Sequence, residues 1–391
     1  MNHNYIKIDK GIRKSGNTYE FNVSCGYDGN GKHIRKYTTF TPPEGVSEAK
    51  ADKLAKAAYQ EFVKKAEGNK AYNANMKFND LCDLYFREYA PNKLKKTTIE
   101  HYKSCCKNHL KPAFGNMKLK EITTASISEF LTGLDCKPLT ARKFKIVFHS
   151  IMKYARTQKI ISENPVVGSI WKEDVECDYG EIENFLNVAE AKKVLTLLED
   201  YSIFNTIIKL LIYTGMRSGE CLGLRWSSID FENKSIFINK TLSYAENQWY
   251  LSPPKTPNSI RNIYVGDDVI EMLKKHKEEQ DKQKEIVGEA WQQPEMVFTS
   301  CTGHWYDRSL LNAQFRRFIK QNNDFLNIEH NITPHGLRHT NASLLLVAGE
   351  DVENVSKHLG HASSEITSRV YAHILAETKV RMAKTIADTL S

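Results

Sequence analysis

The stretch TPHGLRHTNASLLLVAGEDVENVSKHLGHASSEITSRVY, residues 333–371, is the part around which the rest of the chain is organised. His335 and Arg338 are three residues apart, so on a helix both side chains share one face and can converge on a single small anion. Thr333 and Pro334 are typical of an N-cap and a first-turn proline. The pair would then lie at the positive end of a helix dipole, which predicts a phosphate site.

The positive charge of the chain is concentrated in its first part. The protein has 391 residues and a formal net charge of +8. Residues 1–172 carry 31 Lys and Arg against 16 Asp and Glu, whereas residues 173–391 carry 24 against 31. This asymmetry predicts that the front of the chain binds a polyanion. A solvated basic face without a ligand is the simpler alternative.

The composition excludes several classes of protein. With 41% hydrophobic and 26% charged residues the chain can bury a sizeable core, and its length favours two or three domains. It has no run of about eighteen apolar residues and no apolar N-terminal segment, so we expect a soluble, cytoplasmic protein with no membrane partner. The eight cysteines form no CxxC pair, so we expect neither disulfides nor a metal site.

The first 70 residues combine a strand pattern with a helix pattern. Three short antiparallel strands are predicted between Gly11 and Phe40. Ser47 is suited to cap the helix that follows, so a small sheet packed on one helix should result. The exposed face of this sheet is predicted to present Arg35 and Lys36 to a DNA major groove.

The next segment predicts a compact helical bundle behind a polar linker at residues 68–75. Pro91, Pro112 and Pro138 are expected to separate its helices. The predicted helices are Phe78–Tyr89, Thr97–Leu110, Ser126–Leu134 and Leu139–Gln158. Two basic strips around the second and fourth helices are predicted to straddle a phosphate backbone, and they include Lys95, Lys96, Lys103, Arg142 and Lys143.

An acidic segment at residues 172–184 is predicted to link this bundle to a third domain. That domain should be mainly helical, with a three-stranded β insert at residues 235–265. The expected fold class is therefore mainly α with small β elements (α+β) and multidomain. The predicted domains are residues 1–70, 76–170 and 185–391.

Separated pieces of the third domain carry arginine, lysine, histidine and tyrosine side chains that are to be considered together. In chain order they are Arg217, Lys255, His335, Arg338, His361 and Tyr371. Each alone has a simple structural explanation; Arg217, for instance, could merely pair with Glu220. Their order and spacing, however, resemble the catalytic signature of the tyrosine recombinase (phage integrase) family. Residues 76–170 resemble the core-type DNA-binding domain of that family, and the first 70 resemble the arm-binding domain of integrases from phages and conjugative transposons.

The resemblance implies a reaction. Tyr371 would attack a DNA phosphodiester, leaving a 3′-phosphotyrosyl enzyme and a free 5′-hydroxyl. Arg217 and Arg338 would bind the non-bridging oxygens, since a planar guanidinium can contact two oxygens at once. Lys255 would protonate the leaving 5′-oxygen. No cofactor and no metal are implied.

Two histidines complete the implied site. His335 would help to deprotonate the tyrosine or hold the phosphate, and His361 would donate a further hydrogen bond. Glu220 is interpreted as support that orients Arg217. A final helix at Ile374–Leu390 could pack within its own chain or on a neighbouring protomer, and both remain open.

The resemblance also implies partners and a biological role. The partners would be double-stranded DNA with core and arm sites, further copies of the chain in a homo-tetramer, a DNA-bending host protein and an excisionase. The role would be integration and excision of a mobile genetic element by a DNA-associated protein of the bacterial cytoplasm. Two alternatives are a type IB-like topoisomerase, which relaxes DNA as a monomer, and a catalytically inactive DNA-binding regulator of the same fold.

Overall fold

A computed structural model describes residues 6–27, 33–67, 73–171, 184–254 and 256–360. The chain divides into two compact units, Met1–Val175 and Glu176–Ser391. Each unit is mostly helical with small sheets, which confirms the predicted fold class. Residues 172–183 of the predicted linker at 172–184 lie outside the described residues, and so do residues 68–72 of the first linker. The proposed boundaries of the three domains remain predictions.

The first unit begins with an antiparallel sheet of four strands, not three. Its strands, in spatial order, are β1 (Ile6–Asp9), β2 (Ile12–Ser15), β3 (Thr18–Tyr27) and β4 (His33–Phe40). The prediction missed β1 because Ile6 and Ile8 alternate with Lys7 and Asp9 over only four residues, the shortest run that indicates a strand. Helix α1 (Glu48–Glu67) packs on β3 and β4. Their shared core contains Ile12, Tyr19, Phe21, Ala51 and Ala55.

A helical bundle forms the rest of the first unit. Its helices are α2 (Phe78–Leu84), α3 (Ala90–Lys93), α4 (Lys96–Cys105), α5 (Lys111–Phe114), α6 (Thr124–Gly133) and α7 (Pro138–Thr157). A 3₁₀ turn at Leu119–Glu121 precedes α6. The largest side chains of its core include Phe78, Tyr85 and Phe148, each fully buried.

Two of the prolines expected to end helices lie inside continuous helical segments. Pro91 follows a π-helical turn at Tyr85–Tyr89, and Pro112 follows a second at Cys106–Leu110. Proline lacks an N–H and its ring collides with the carbonyl of the fourth residue before it in a regular α-helix. A wider π turn immediately before the proline relieves that collision, so the helix continues.

The second unit is a larger helical assembly with two small sheets. Its helices are α8 (Val188–Leu197), α9 (Ile203–Thr214), α10 (Ser218–Leu222), α11 (Asp267–Val287), α12 (Arg308–Gln321), α13 (Asn323–Leu326), α14 (Gly336–Val347) and α15 (Val352–Leu359). Its strands are β5 (Ile229–Asp230), β6 (Ser235–Ile238), β7 (Thr241–Ala245), β8 (Gln248–Ser252) and β9 (Arg261–Tyr264). One large core that includes Ile207, Leu211, Phe298 and Leu337 joins these elements.

The predicted three-stranded insert at 235–265 is wrong in detail. The segment 235–241, expected as one strand, is divided between β6 and β7, which belong to different sheets. β5, β6 and β9 form one antiparallel sheet, whereas β7 and β8 form a separate hairpin. Ile236 and Ile238 are buried in the main core, so the apolar pattern ends at Ile238 and the chain can leave the first sheet there.

Candidate active site

Arg217 begins the short helix α10 at a sharp turn. α9 ends at Thr214, its C-cap Gly215 has a left-handed φ of 60°, and the chain turns so that Arg217 becomes the N-cap of α10. The Arg217 N–H donates to Glu220 Oε2 at 2.9 Å, and its Nη1 donates to Oε1 of the same carboxylate at 2.7 Å. Nη1 also donates to Ser259 Oγ at 3.2 Å. The predicted pairing with Glu220 is thus present.

Glu220 is buried between two guanidinium groups. Its side chain is 2% exposed, and Arg261 Nη2 donates to Oε2 at 3.2 Å from strand β9. Burial alone would raise the pKa of Glu220, but the charge of Arg261 and the N–H and guanidinium of Arg217 outweigh it and hold the pKa below its usual range. Glu220 is therefore a carboxylate that fixes the position of Arg217.

Helix α14 begins two residues later than the sequence predicts. Its N-cap is His335 and its first residue is Gly336, so neither Thr333 nor Pro334 has the predicted position. Thr333 still helps to start the helix, because its carbonyl and hydroxyl oxygens accept from the Gly336 N–H at 2.8 and 3.3 Å. Asn184 Oδ1 in turn accepts from the Thr333 N–H at 3.0 Å.

The side chains of His335 and Arg338 lie in different surroundings. His335 is exposed, whereas Arg338 is 3% exposed and directed into the protein. Arg338 Nη1 donates to the carbonyl of Gly215 at 2.9 Å, and Nη2 donates to that of Leu359 at 2.6 Å. The expectation that both side chains converge on an anion is therefore not met in this structure. Arg338 instead joins the ends of α9 and α15 beneath the start of α14.

Desolvation and the positive charges around the start of α14 lower the pKa of its histidines. Although His335 reaches the surface, the surrounding protein desolvates part of its ring, and this desolvation, followed by the charges of Arg338, Arg217 and Arg308, lowers its pKa. The same causes, burial first and then His335 and Arg338, lower the pKa of His339 to about 4. The two rings meet edge to face with centroids 5.4 Å apart. At neutral pH His335 is therefore an uncharged imidazole, which can accept a proton.

Arg217 and His335 line one cleft of about 740 Å³. Helices α10, α12 and the turn before α14 form its walls. Arg308, the first residue of α12, also lines it, and burial lowers the pKa of its guanidinium. A Cβ on Gly219 would lie too close to Arg308 Nη2 and Thr241 Oγ1, so a larger residue there would force both side chains to move. Among the described residues no carboxylate pairs with Arg308.

Sequence reasoning missed Arg261 and Arg308. Neither belongs to the signature on which the prediction rested. Arg261 follows an isoleucine in a strand, where an arginine is usually a solvated outward residue. Arg308 follows Asp307, an N-cap residue with which a surface pair would have been the obvious interpretation. Their tertiary positions alone distinguish them.

Three predicted site residues lie outside the described residues: Lys255, His361 and Tyr371. The predicted final helix Ile374–Leu390 lies outside them as well. The residues on both sides of Lys255 and the residue before His361 are described. Thr256 and Ser259 share a hydrogen bond of 2.9 Å just after Lys255, and Ser259 accepts from Arg217. Gly360, which directly precedes His361, lies against the backbone of Asn258 and Ser259.

The predicted basic strips of the bundle are on neighbouring helices. α4 packs against α7, and His109 stacks on Phe144 of α7 with ring centroids 4.2 Å apart. Lys145 of α7 instead stabilises the fold, because its Nζ donates a hydrogen bond to the Ser169 carbonyl at 2.6 Å. The candidate residues Lys95, Lys96, Lys103, Arg142 and Lys143 are all exposed.

Arg35 and Lys36 cannot share one sheet face. Arg35 pairs with Ser24 and Lys36 pairs with Val23, so the two lie on opposite sides of β4. Val23 is buried in a cluster with Ala66 of α1, which places Lys36 on the helix-covered side although its side chain remains exposed. The prediction that both residues belong to the open face is wrong for Lys36, because side chains alternate along a strand.

The described residues between 6 and 360 contain neither a cluster of metal ligands nor a membrane-spanning helix. No group of three or more His, Cys, Asp or Glu side chains there is arranged to hold a metal ion. No helix in the described ranges is both long enough and apolar enough to cross a membrane. The cysteines of the same ranges are all free thiols.

Comparison with known families matches the second unit to one family and part of the bundle to a related one. A model described as "Phage integrase family" covers residues 181–378. A second, "Phage integrase, N-terminal SAM-like domain", covers residues 77–135. The chain belongs to the phage integrase family. This membership confirms the resemblance drawn from the six-residue signature.

Relatives of this integrase-family protein match it along almost all of its length. A "Tyrosine recombinase XerC-like" protein of Caldanaerobacter subterraneus subsp. tengcongensis is 26% identical over 408 residues, covering 98% of each chain. The ICEBs1 integrase of Bacillus subtilis is 25% identical over 387 residues, covering 95% of this chain and 97% of its own. The first 70 residues therefore also have counterparts in relatives.

Solved structures show the same fold in two integrases. The Tn1549 transposon integrase in complex with transposon right end DNA has a TM-score of 0.64 at 20% identity, covering 79% of this chain and 99% of the other. A lambda integrase dimer bound to a core site has a TM-score of 0.54 at 18% identity, covering 94% and 96%. At this identity the likeness concerns the fold.

Proposed function

We propose that this protein is a site-specific DNA recombinase that cleaves and rejoins DNA strands through a phosphotyrosyl intermediate, and so integrates and excises a mobile genetic element. The observation that carries the proposal is the cleft in which Arg217, Arg308 and an uncharged His335 meet. Fixed cationic side chains suit a reaction that gathers negative charge on phosphate oxygens. The relatives and structural neighbours that act on DNA support it further.

The covalent step follows from the family signature. The Tyr371 oxygen attacks the phosphorus and its proton passes to a base, for which His335 is suited because its lowered pKa leaves it uncharged. The bond from phosphorus to the 5′-oxygen breaks, and Lys255 gives that oxygen a proton. The product is a 3′-phosphotyrosyl enzyme and a 5′-hydroxyl. Religation reverses these steps, with the 5′-hydroxyl of the partner strand as nucleophile, and needs no outside energy source.

The cations have distinct parts in this proposal. Arg217, which is about one-third exposed and held by Glu220, binds the non-bridging oxygens directly. Arg338 contributes its positive charge and keeps the ends of α9 and α15 in place. His361 donates a further hydrogen bond to the phosphate.

We further propose that DNA is bound in several parts. The bundle and the second unit hold the core site, with the exposed lysines and arginines of α4 and α7 on the phosphate backbone. The N-terminal sheet binds a separate arm site. Four copies assemble on paired core sites, assisted by a DNA-bending host protein and an excisionase.

A suicide substrate tests the central step. Duplex DNA nicked close to the cleavage point loses a short 5′-hydroxyl fragment after attack, so the covalent protein cannot religate and is trapped. Nicked fragments of the genome that carries the gene provide substrates when the target is unknown. Wild type should give an adduct that survives denaturation, and Tyr371→Phe should give none. Tyr264→Phe, at a 75% exposed tyrosine of the same unit, is the matched control and should react like wild type.

The same assay separates the alternatives. Wild type without any adduct would support the inactive DNA-binding regulator. An adduct together with relaxation of supercoiled DNA, but no recombinant product from two captured sites, would support a topoisomerase. An adduct formed by Tyr371→Phe would mean that another residue is the nucleophile.

A further inference from the structure

We propose that Arg261 is a positioning residue for the catalytic Arg217 and acts on it through the buried carboxylate of Glu220. This inference rests on the proposed strand cleavage and identifies a residue of that site which the signature does not contain. Arg261 lies on β9, the strand that follows the segment with Lys255, whereas Arg217 and Glu220 lie on α10.

The contacts form a short chain of hydrogen bonds. Arg217 donates from its N–H and Nη1 to both oxygens of Glu220, and Arg261 Nη2 donates to Oε2. The exposed fraction of the three side chains is 36% for Arg217, 2% for Glu220 and 7% for Arg261. Only Arg217 can therefore be reached from the cleft, while the other two form its buried support.

The number of charges explains why a second guanidinium is needed. A buried carboxylate paired with Arg217 alone would neutralise the very cation that must stabilise a phosphate in transit. Arg261 compensates Glu220, so the three groups together retain one positive charge, at the exposed member. Arg217 can then be held rigidly without losing its charge to its own support.

Arg261 also connects this support to the other parts of the site. Its Nε donates to the His358 carbonyl at 2.7 Å, and its Nη1 donates to the Ser259 carbonyl at 3.0 Å. His358 lies in the last turn of α15, three residues before His361, and Ser259 follows Lys255 by four residues. The side chain thus holds both segments that lead to predicted catalytic residues at a fixed distance from Arg217.

The groups that face Glu220 define how it should respond to pH. They are Arg217 at the start of α10, Arg261 from β9 and the thiol of Cys221 beside it. His358 faces Arg261, and Arg308 of α12 lies against Gly219. Removing Arg261 takes away its charge, the largest single cause that lowers the pKa of Glu220. Protonation of Glu220, and loss of its hold on Arg217, should then begin at a higher pH.

The experiment measures the rate of covalent adduct formation on a nicked duplex that wild type captures. The variants are Arg261→Gln, Arg261→Lys, Glu220→Gln and the double variant. Arg261→Gln should slow the reaction by about tenfold or more, with DNA affinity nearly unchanged, and should shift the acidic limb of the rate to higher pH. Arg261→Lys should recover part of the rate. Lys274→Gln, which removes an exposed positive charge on α11, should behave like wild type.

The double variant tests whether Arg261 acts through Glu220. In the Glu220→Gln background the further change at Arg261 should slow the reaction much less than it does in wild type. Independent effects that multiply would overturn the proposal, as would an Arg261→Gln enzyme with an unchanged rate and pH profile per folded molecule. Thermal unfolding of each variant gives the folded fraction. If wild type itself forms no adduct, the proposed function fails before this comparison begins.

Discussion

Arg338 Nη2 donates a hydrogen bond of 2.6 Å to the carbonyl oxygen of Leu359, 21 residues further along the chain. Because its Nη1 also holds the carbonyl of Gly215, this one side chain joins the ends of α9 and α15 to the start of α14. The arginine that the signature assigns to the phosphate is thus also a structural residue. Its substitution should affect stability and chemistry together.

Arg338→Ala should destabilise the second unit by about 3 kcal/mol or more, because it removes two charge-assisted hydrogen bonds and opens a buried space. Arg338→Lys keeps the charge but can serve fewer acceptors, so its loss should be smaller. Urea unfolding followed by tryptophan fluorescence measures this, since four of the five tryptophans lie in the second unit: Trp226, Trp249, Trp291 and Trp305. An unchanged urea midpoint for Arg338→Ala would show that the two contacts contribute nothing.

Gly215→Ala should lower the free energy of unfolding by more than the strain of a positive φ alone would. The φ of Gly215 is 60°, and a Cβ there would come within 2.5 Å of Asn341 Oδ1 and 2.8 Å of Leu359 Cδ2. Gly16 has the same φ of 60° with open space around it, so Gly16→Ala should cost only about 1 kcal/mol of strain. Gly215→Ala should exceed that cost and also slow adduct formation. Equal unfolding costs for the two variants would argue against a collision.

The signature was visible in the sequence because it depends on residue types at fixed separations. Asn187 caps α8 through a capping box with Glu190, a contact between residues three apart that a local pattern can report. The support of the site was not visible. Arg261 meets Glu220 only because β9 folds back onto α10, and no local pattern reports a contact between residues 41 positions apart.

The prediction of several elements was wrong where the structure makes an exception to a local rule. Pro91 and Pro112 normally end helices, but a π turn before each accommodates the ring. Strand β1 alternates apolar and polar residues over only four positions, the shortest run that indicates a strand. Thr333 has the chemistry of an N-cap, yet the turn it starts delays the helix to Gly336.

The stability of the second unit should fall between about pH 6.5 and pH 4.5. The folded state lowers the pKa of His335, His339 and His358, that of His339 to about 4, so the unfolded chain binds protons at higher pH than the folded one does. Stability is then lost as the pH falls below the unfolded value of about 6.5. For His339 alone the effect should be on the order of 1–3 kcal/mol.

A loss of stability above pH 4.5 would come from these histidines and not from Glu220. The folded state lowers the pKa of Glu220, so its contribution is present above its unfolded pKa and is lost only below that value. Urea midpoints measured at several pH values should therefore decline toward pH 4.5, and His339→Gln should flatten the decline. A midpoint that stays constant from pH 7 to pH 5 would contradict the assignment.

The two basic strips of the bundle should contribute to DNA affinity through phosphate contacts. Lys103→Gln and Arg142→Gln should each weaken binding of a captured core duplex and reduce the slope of log affinity against log salt by about 0.9. Combining them should roughly add the losses if both strips touch the backbone at once. Lys145→Gln is a useful contrast, since Lys145 is engaged with Ser169 and should affect folding more than the salt slope.

Arg308 should act on DNA more strongly than an ordinary surface arginine. It shares the cleft with Arg217 and His335, and in the described part of the chain no acidic side chain competes for its guanidinium. Arg308→Gln should therefore weaken DNA binding and lower the salt slope by about one phosphate contact. It should also raise the pKa of His335 toward its ordinary value, because one of the cations that lower it is gone. The acidic limb of the pH profile of adduct formation would then move to higher pH. If Arg308→Gln weakens DNA binding but leaves this limb unchanged, Arg308 contacts DNA too far from His335 to influence it.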